Sequence, residues 1–494
     1  MEQLSGGGNR SNVNQYATDA FSTTRQDGSE NQSDITQVDS LDSPGDDPGA
    51  NVTQVGNANR SDVTQTISGL ATGNLDVTVT QEGNQGFSRI DQTASGDRAN
   101  NLTASVTQKD GSLVACSEID QTASAKDTNT VEASVTQGGT FKATDYSKIK
   151  QTAGSDGSTV ISATVDQWTG SKSEIKQTIT ASQTIGNLGG DLVTAYVRQE
   201  TADNESSITQ TMNQVRGSGG DSPRNYRASV IQRGGTNNTS IVEQIDVQDP
   251  SLINSDDENL IANVTQAGGS NDSEVYQTGR SAQATVSQSG SNQRSIIDQN
   301  LDATLNAGTF GGSRVEVYQN GLGNLSDVTQ RGNTNQVYID QDGKNGRVFY
   351  TQTIDASRAK GTIFQGTGFS NMYAKVTQSG DRNPPIAGTL DGQNDVDVSQ
   401  RANNASATVD QGGENNYVNV SQTGDQSLSN IDQAGLNNVA LVSQSGDNTT
   451  SIITQMTDSS NNTADVWQSA NNAWSSVTQS GTGNQAYVTQ GVRP

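Results

Sequence analysis

The side chains that usually carry chemistry are scarce here. There is no histidine among the 494 residues, which excludes imidazole-held zinc and histidine-based proton transfer. The one cysteine, Cys116, can form neither an internal disulfide nor a thiolate cluster. Acidic runs at Asp46-Asp47 and Asp256-Asp257-Glu258 are of a type that binds calcium. They lack the Gly-Gly-x-Gly-x-Asp spacing of calcium-binding β-rolls and read as solvated loop charge. Threonine recurs at Thr53, Thr64, Thr80, Thr107 and Thr136, as an ice-binding face requires. Asp91, Asp120, Lys150, Asp166 and Lys176 interrupt that column. Tyr417, Trp467, Trp474 and Tyr487 read as scattered surface aromatics, with lateral contacts or sugar platforms as the sharper alternative. No group of carboxylates or basic residues is concentrated enough to name an active site. The chain is read as a non-enzyme with no cofactor and no metal.

The residue with regular spacing is glutamine. A Val/Ile-x-Gln triplet recurs along nearly the whole chain. Its glutamines include Gln54, Gln65, Gln81, Gln92, Gln266, Gln277, Gln288, Gln299, Gln319, Gln330, Gln341, Gln400, Gln411, Gln422, Gln433, Gln444, Gln455, Gln468, Gln479 and Gln490. Counting Gln15 and the weaker match Thr24-Arg25-Gln26, 36 positions fall into 18 pairs. Gln352 departs by following Tyr350. An amide carries two N–H donors and one carbonyl acceptor, so stacked glutamines can bond in a continuous ladder.

Alternation sets the element that must position them. Asn438, Ala440, Val442 and Gln444 stand at every second residue, the period of a strand with one consistent face. After the glutamine comes a turn, with glycine two residues on at Gly332, Gly343, Gly424, Gly435 and Gly446, and often asparagine further on (Asn59, Asn335, Asn438). Both accept the left-handed backbone of a tight reversal. Spacings between glutamines separate into two classes in alternation. One class clusters at 11 residues, and the other runs from 11 to 22. The expected fold is all-β: a β-solenoid of two strands per rung and about 18 rungs stacked near 4.8 Å, with long loops gathered on one edge. Six of the seven prolines (Pro44, Pro48, Pro223, Pro250, Pro384, Pro385) fall inside long spacings, as residues excluded from central strands should. The Gln177–Gln199 interval could hide a further strand.

Composition agrees with a repetitive polar core. Hydrophobic residues are 29% and aromatics 4%, too little for a conventional core of this size. Charged residues are only 17%, and glycine numbers 52. The net charge of −25 disfavours nucleic acid and anionic membranes as partners. No apolar stretch is long enough for a spanning helix, so no membrane insertion is expected. Met1-Glu2-Gln3-Leu4-Ser5 has neither the basic nor the apolar region of a signal peptide, and secretion would require this to be a mature form.

The segment Gln433 to Gln444 resembles the curlin repeat, Ser-x5-Gln-x-Gly-x-Gly-Asn-x-Ala-x3-Gln. Ser427, Gln433, Gly435, Asn438, Ala440 and Gln444 fall on the motif, with Asn437 at its second glycine. Gln411 to Gln422 fits less closely, with Asn416 and Val418 at the Asn and Ala positions. The resemblance covers roughly residues 10–490. It implies a left-handed solenoid, a subunit of curli (the extracellular amyloid fibres of bacterial biofilms), passage through an outer-membrane export channel and nucleation by a minor subunit. Typical curlins have far fewer repeats. Residues 1–10 are read as a short Gly-rich segment and 11–494 as the solenoid. The end strands, carrying Val13 and Gln15 at one end and Val488 and Gln490 at the other, are expected to stack copy on copy with no plug at either end. A solenoid adhesin that does not polymerise is the alternative.

Overall fold

The computed structural model describes residues 1–17, 19–39, 48–68, 74–95, 100–109, 115–124, 129–138, 145–154, 159–167, 170–182, 191–215, 225–245, 259–279, 281–300, 312–332, 334–353, 358–380 and 394–491. The chain is an all-β solenoid of parallel strands, 37 among the described residues. It falls into two compact units, Met1–Thr265 and Gln266–Pro494. Strands are named below by their ladder glutamine.

In the N-terminal unit, strands alternate between two parallel sheets. The first contains the Gln15, Gln37, Gln65, Gln92, Gln121, Gln151, Gln177, Gln210 and Gln244 strands. The second contains the Gln26, Gln54, Gln81, Gln108, Gln137, Gln167, Gln199 and Gln232 strands. Each glutamine is in register with the glutamine of the next rung. The C-terminal unit repeats the plan. Its first sheet runs from Gln277 to Gln479 and its second from the Gln288 strand to Gln490. The Gln177 and Gln199 strands, Lys172–Ser182 and Asp191–Gln199, keep the alternation, because they pair into different sheets. Residues 183–190 between them lie outside the described residues.

The two inner faces differ in chemistry. First-sheet strands mostly turn Ser, Ile/Val and Gln inward, as in Ser61-x-Val63-x-Gln65; second-sheet strands mostly turn Ala/Val, Val/Ile and Gln, as in Ala104-x-Val106-x-Gln108. All six side chains are buried. Stacking supplies each residue with the same neighbour above and below, so a small apolar column suffices where a globular core needs bulk.

Long spacings are not simply loops. Between Gln65 and Gln81 the strands Arg60–Ser68 and Asn74–Glu82 each run past the short pattern and bury Ile67 and Leu75. Ala94 with Leu102, Ala123 with Val131 and Ala153 with Ile161 repeat this extra inner pair. Much of the insertion is therefore widened core: the period-two apolar pattern continues beyond the glutamine. Of the internal prolines only Pro48 is described. It precedes the Gln54 strand, on the long edge, and its carbonyl accepts from Phe21 N at 3.0 Å and Gln37 Nε2 at 2.7 Å. Pro44, Pro223, Pro250, Pro384 and Pro385 lie outside the described residues, as do Asp46-Asp47 and Asp256-Asp257-Glu258.

The turns require one correction. Gly332 and Gly435 have left-handed φ of 87° and 93°, but Gly343, Gly424 and Gly446 do not. There the left-handed residue comes later, at Asn345, Gln426 and Asn448. Glycine is needed for a different reason: turns stack directly on one another. A Cβ on Gly424 would run into the Gly446 carbonyl, and one on Gly446 into that of Ala470.

Candidate functional site

The repeating site is the glutamine amide inside each rung. Gln422 shows the pattern. Its Nε2 donates to Gln444 Oε1 along the column at 2.9 Å and across the rung to the Ser406 carbonyl at 2.9 Å, while its Oε1 accepts from Gln400 at 2.9 Å. Most of the described strands carry such a glutamine because it follows a β-branched residue on the same face. The amide is then satisfied without water, which a buried polar group demands. Gln54, Gln65, Gln81, Gln92, Gln266, Gln277, Gln288, Gln299, Gln319, Gln330, Gln341, Gln400, Gln411, Gln422, Gln433, Gln444, Gln455, Gln468 and Gln479 are all buried; Gln490, on the last strand, is half-buried.

A glutamate in this column is expected to be costly. The Gln422→Glu variant loses both donors and sets a carboxylate against the Gln444 and Ser406 oxygens. Removing one partner from a buried polar pair, with charge added, costs about 3–5 kcal/mol. Burial holds such an acid above its unfolded pKa, so the loss should shrink as pH falls through the folded value. Hydrogen exchange of the rungs around Gln422 at pH 7 and pH 5 reads it; equal opening energies in variant and parent would refute the ladder's contribution.

The ladder has a direction. In the second sheet Gln26 donates to Gln54, Gln54 to Gln81, and Gln81 to Gln108, each at 2.9 Å. The same sense holds through the C-terminal unit in both sheets, ending with Gln455 to Gln479 at 2.7 Å and Gln468 to Gln490 at 2.8 Å. One stretch reverses. In the first sheet Gln177 donates back to Gln151, Gln151 to Gln121, and Gln121 to Gln92, at 2.5, 2.7 and 2.7 Å. Gln210 donates forward to Gln244 at 2.7 Å. The buried Oε1 atoms of Gln177 and Gln210, neighbours in register, consequently accept no hydrogen bond. Sequence could not show this, because every glutamine reads alike.

A second column closes the rungs at the turns. Asn416 N donates to Asn394 Oδ1 at 3.0 Å, Asn438 N to Asn416 Oδ1 at 2.9 Å and Asn462 N to Asn438 Oδ1 at 3.0 Å. Asn59 and Asn335 do the same for Gly86 N and Ala359 N, at 2.8 and 2.9 Å. Outside, neighbours differ from rung to rung. Arg89, Glu118, Lys148 and Glu174 stand in register with alternating sign, and Lys148 lies 3.7 Å from Glu174. Each exposed pair stabilises little, yet alternation distinguishes rungs whose interiors are identical.

The end strands complete the candidate site. The Gln15 strand, Arg10–Tyr16, pairs on one side with Gln32–Asp39; Val13 is half-buried and Gln15 exposed. The Gln490 strand, Gln485–Gln490, pairs with Thr463–Gln468, leaving Val488 and Gln490 half-buried. Because the ladders point towards the C-terminus, Gln15 gives its amide protons to Gln37 at 2.8 Å and to neighbouring loop groups, and its Oε1 is the end of the column. At the other end Gln479 Nε2 donates to the Thr463 and Asn484 carbonyls at 2.9 and 3.2 Å, and Gln490 Nε2 donates to the Trp474 carbonyl at 2.7 Å. Neither amide has a further ladder glutamine to donate to among the described residues. Along the described ladder, Gln15 is thus oriented with its oxygen away from the next rung, and Gln479 and Gln490 with their nitrogens away from the preceding one.

A family model described as the Curlin associated repeat matches residues 393–424. No curated protein matches the chain. The matched stretch contains the Gln400, Gln411 and Gln422 strands. Among the described residues no helix is long and apolar enough to cross a membrane.

Proposed function

We propose that this chain is a structural subunit of extracellular curli-type fibres and assembles by stacking its end rungs copy on copy. The observation that carries the reading is the match between the two edges. Ser475, Val477 and Gln479 turn inward on one, and Ser11, Val13 and Gln15 at the same spacing on the other. The Gln490 edge meets the Gln15 edge, so the contact extends every column. It is heterologous and does not close, which generates a filament rather than a ring. The filament axis is then the direction of the ladders. The export channel and minor nucleating subunit implied by the resemblance belong to this reading, as do a biofilm matrix role and adhesion.

Electron microscopy and fibre diffraction of the purified chain test it. Unbranched filaments with a meridional spacing of about 4.8 Å are expected. A protein that stays monodisperse at high concentration would defeat the proposal and favour the adhesin.

Acid should hasten assembly. Asp272, Asp327, Asp340 and Asp410 are held above the usual carboxylate range, first by burial, and then by Glu274, Asp298, Asp342 and Asp432 respectively; Arg294 opposes the rise at Asp272 and Asp327, and Lys375 at Asp410. A carboxyl whose folded pKa exceeds its unfolded one binds protons more tightly when folded. Folding therefore gains as pH drops from neutrality through the raised folded value. The same protons reduce the repulsion of a chain at −25. Lag times should shorten between pH 7 and pH 5 at constant salt. Unchanged or longer lags would reject electrostatic control.

A further inference from the structure

The Gln15 edge is partly occupied by the chain itself. Glu2–Ser5 forms a strand parallel to Phe21–Asp27, with Glu2 beside Arg25 and Gln3 beside Gln26. Gln3 Nε2 donates to Gln26 Oε1 at 3.3 Å. Register slips by one residue between Gln3 and Ser5, a bulge of the kind that blunts sheet edges. The glycine turn after it rides on the next rung's turn. Glu30 N donates to the Gly7 carbonyl at 3.1 Å, Asn31 N to Asn9 Oδ1 at 3.0 Å, and Asn9 Nδ2 to the Gly28 carbonyl at 2.7 Å. The segment expected to lie outside the solenoid, with neither end plugged, is instead a half rung.

Chain order dictates what a second copy must displace. Within a rung the first-sheet strand precedes the second-sheet strand: Gln26 follows Gln15 at the same spacing as Gln490 follows Gln479. A copy that sets Gln479 on Gln15 therefore sets Gln490 on Gln26, where Gln3 already sits. We propose that the Gln3 strand is an internal stand-in for the Gln490 strand of a second copy, and that it must leave the Gln26 edge before that copy can dock. This rests on the end-to-end reading above.

Gln3 offers Gln26 the same amide donor that Gln490 would. It holds the edge less well. Its strand has four residues, all exposed, against six for Gln485–Gln490. Two residues before Gln3, where the column wants valine, stands Met1, 71% exposed. The bulge further interrupts the ladder. A strand so placed slows docking without abolishing it. If it holds the edge about nine-tenths of the time, elongation falls about tenfold, because only the open fraction binds.

The test compares seeded elongation of the full chain, a variant lacking residues 2–8, and a lockable variant. The last carries Glu2→Cys and Arg25→Cys with Cys116→Ser. Those two positions are Cα partners across the parallel pair, and adjacent strands lie within the Cα span of a disulfide. The deletion should elongate about tenfold faster. The oxidised lock should elongate at least tenfold slower than the same sample after reduction, which should behave like the parent. A locked form that grows as fast as its reduced form overturns the proposal whatever the deletion does, while leaving the filament reading intact. Absence of filaments from every form overturns the filament reading, and this inference with it.

Discussion

Changing Val488→Lys together with Gln490→Asp should stop elongation while leaving the solenoid folded. Both side chains lie on the last strand and are half-buried, so the isolated chain tolerates them. At a junction between copies they become interior. Lysine then places an ammonium in the valine column, and aspartate faces an acceptor where a donor is needed. A buried, unpaired charge costs about 3–5 kcal/mol, which corresponds to a slowing of several hundredfold or more. The direction of the ladders adds a sharper expectation. The variant keeps a normal Gln15 edge, so it can add once to the Gln490 end of a wild-type filament and then present a spoiled one. Small amounts should poison wild-type growth at one end, visible as single-ended filaments in seeded microscopy. Normal elongation by the variant would sink end-to-end stacking.

The second large effect concerns Tyr350 and Gly361. Tyr350 takes the place of valine in the Gln352 strand and is buried, 1% exposed. Its hydroxyl donates to Gln378 Oε1 and accepts from Gln352 Nε2 at 3.3 Å. Burial pushes that hydroxyl well above its ordinary pKa. On the facing sheet the position that holds Val337 and Val396 one rung either side holds Gly361. A Cβ there would collide with the Tyr350 ring and hydroxyl. Repairing the repeat with Gly361→Val should therefore destabilise, by about 1–3 kcal/mol from overpacking or more. Tyr350→Val alone should cost about 3 kcal/mol through the cavity it leaves. The double variant restores the pattern of neighbouring rungs and should recover most of both losses. A solenoid does not unfold as one unit, so local opening energies from hydrogen exchange across residues 341–378 are the measurement. Additive losses would refute the complementarity.

That pair shows where sequence stops being informative. Fold and inner face were legible because Val/Ile-x-Gln repeats many times at a strand's period, and any other element scatters those residues around its circumference. The asparagine column was legible from its fixed distance to the glutamine. Tyr350 stands out in the sequence as a departure from Val/Ile, but only opposition across the rung ties it to Gly361. Ile67 and Leu75 were readable in principle, since apolar residues continue the alternation on either side of a long spacing. The spacing of the glutamines alone assigns them to loop, because it marks glutamine as the strand's end. Gln3 escaped for a related reason. Its one-residue slip breaks the spacing by which its fellows are found, and the glycines after it look like a flexible leader. Amide orientation leaves no mark in the sequence.

In the C-terminal unit every ladder amide points the same way. Each peptide-like amide is a dipole of about 3.5 D, and head-to-tail alignment adds such dipoles as it does along a helix. Backbone amides of a sheet largely cancel because they alternate, so the side-chain columns add a partial-charge axis of their own. Its positive pole lies at the Gln490 edge. That pole is the end at which a negatively charged group would be favoured by the columns. The four reversed amides from Gln92 to Gln177 oppose the others, so this alignment is less complete in the N-terminal unit.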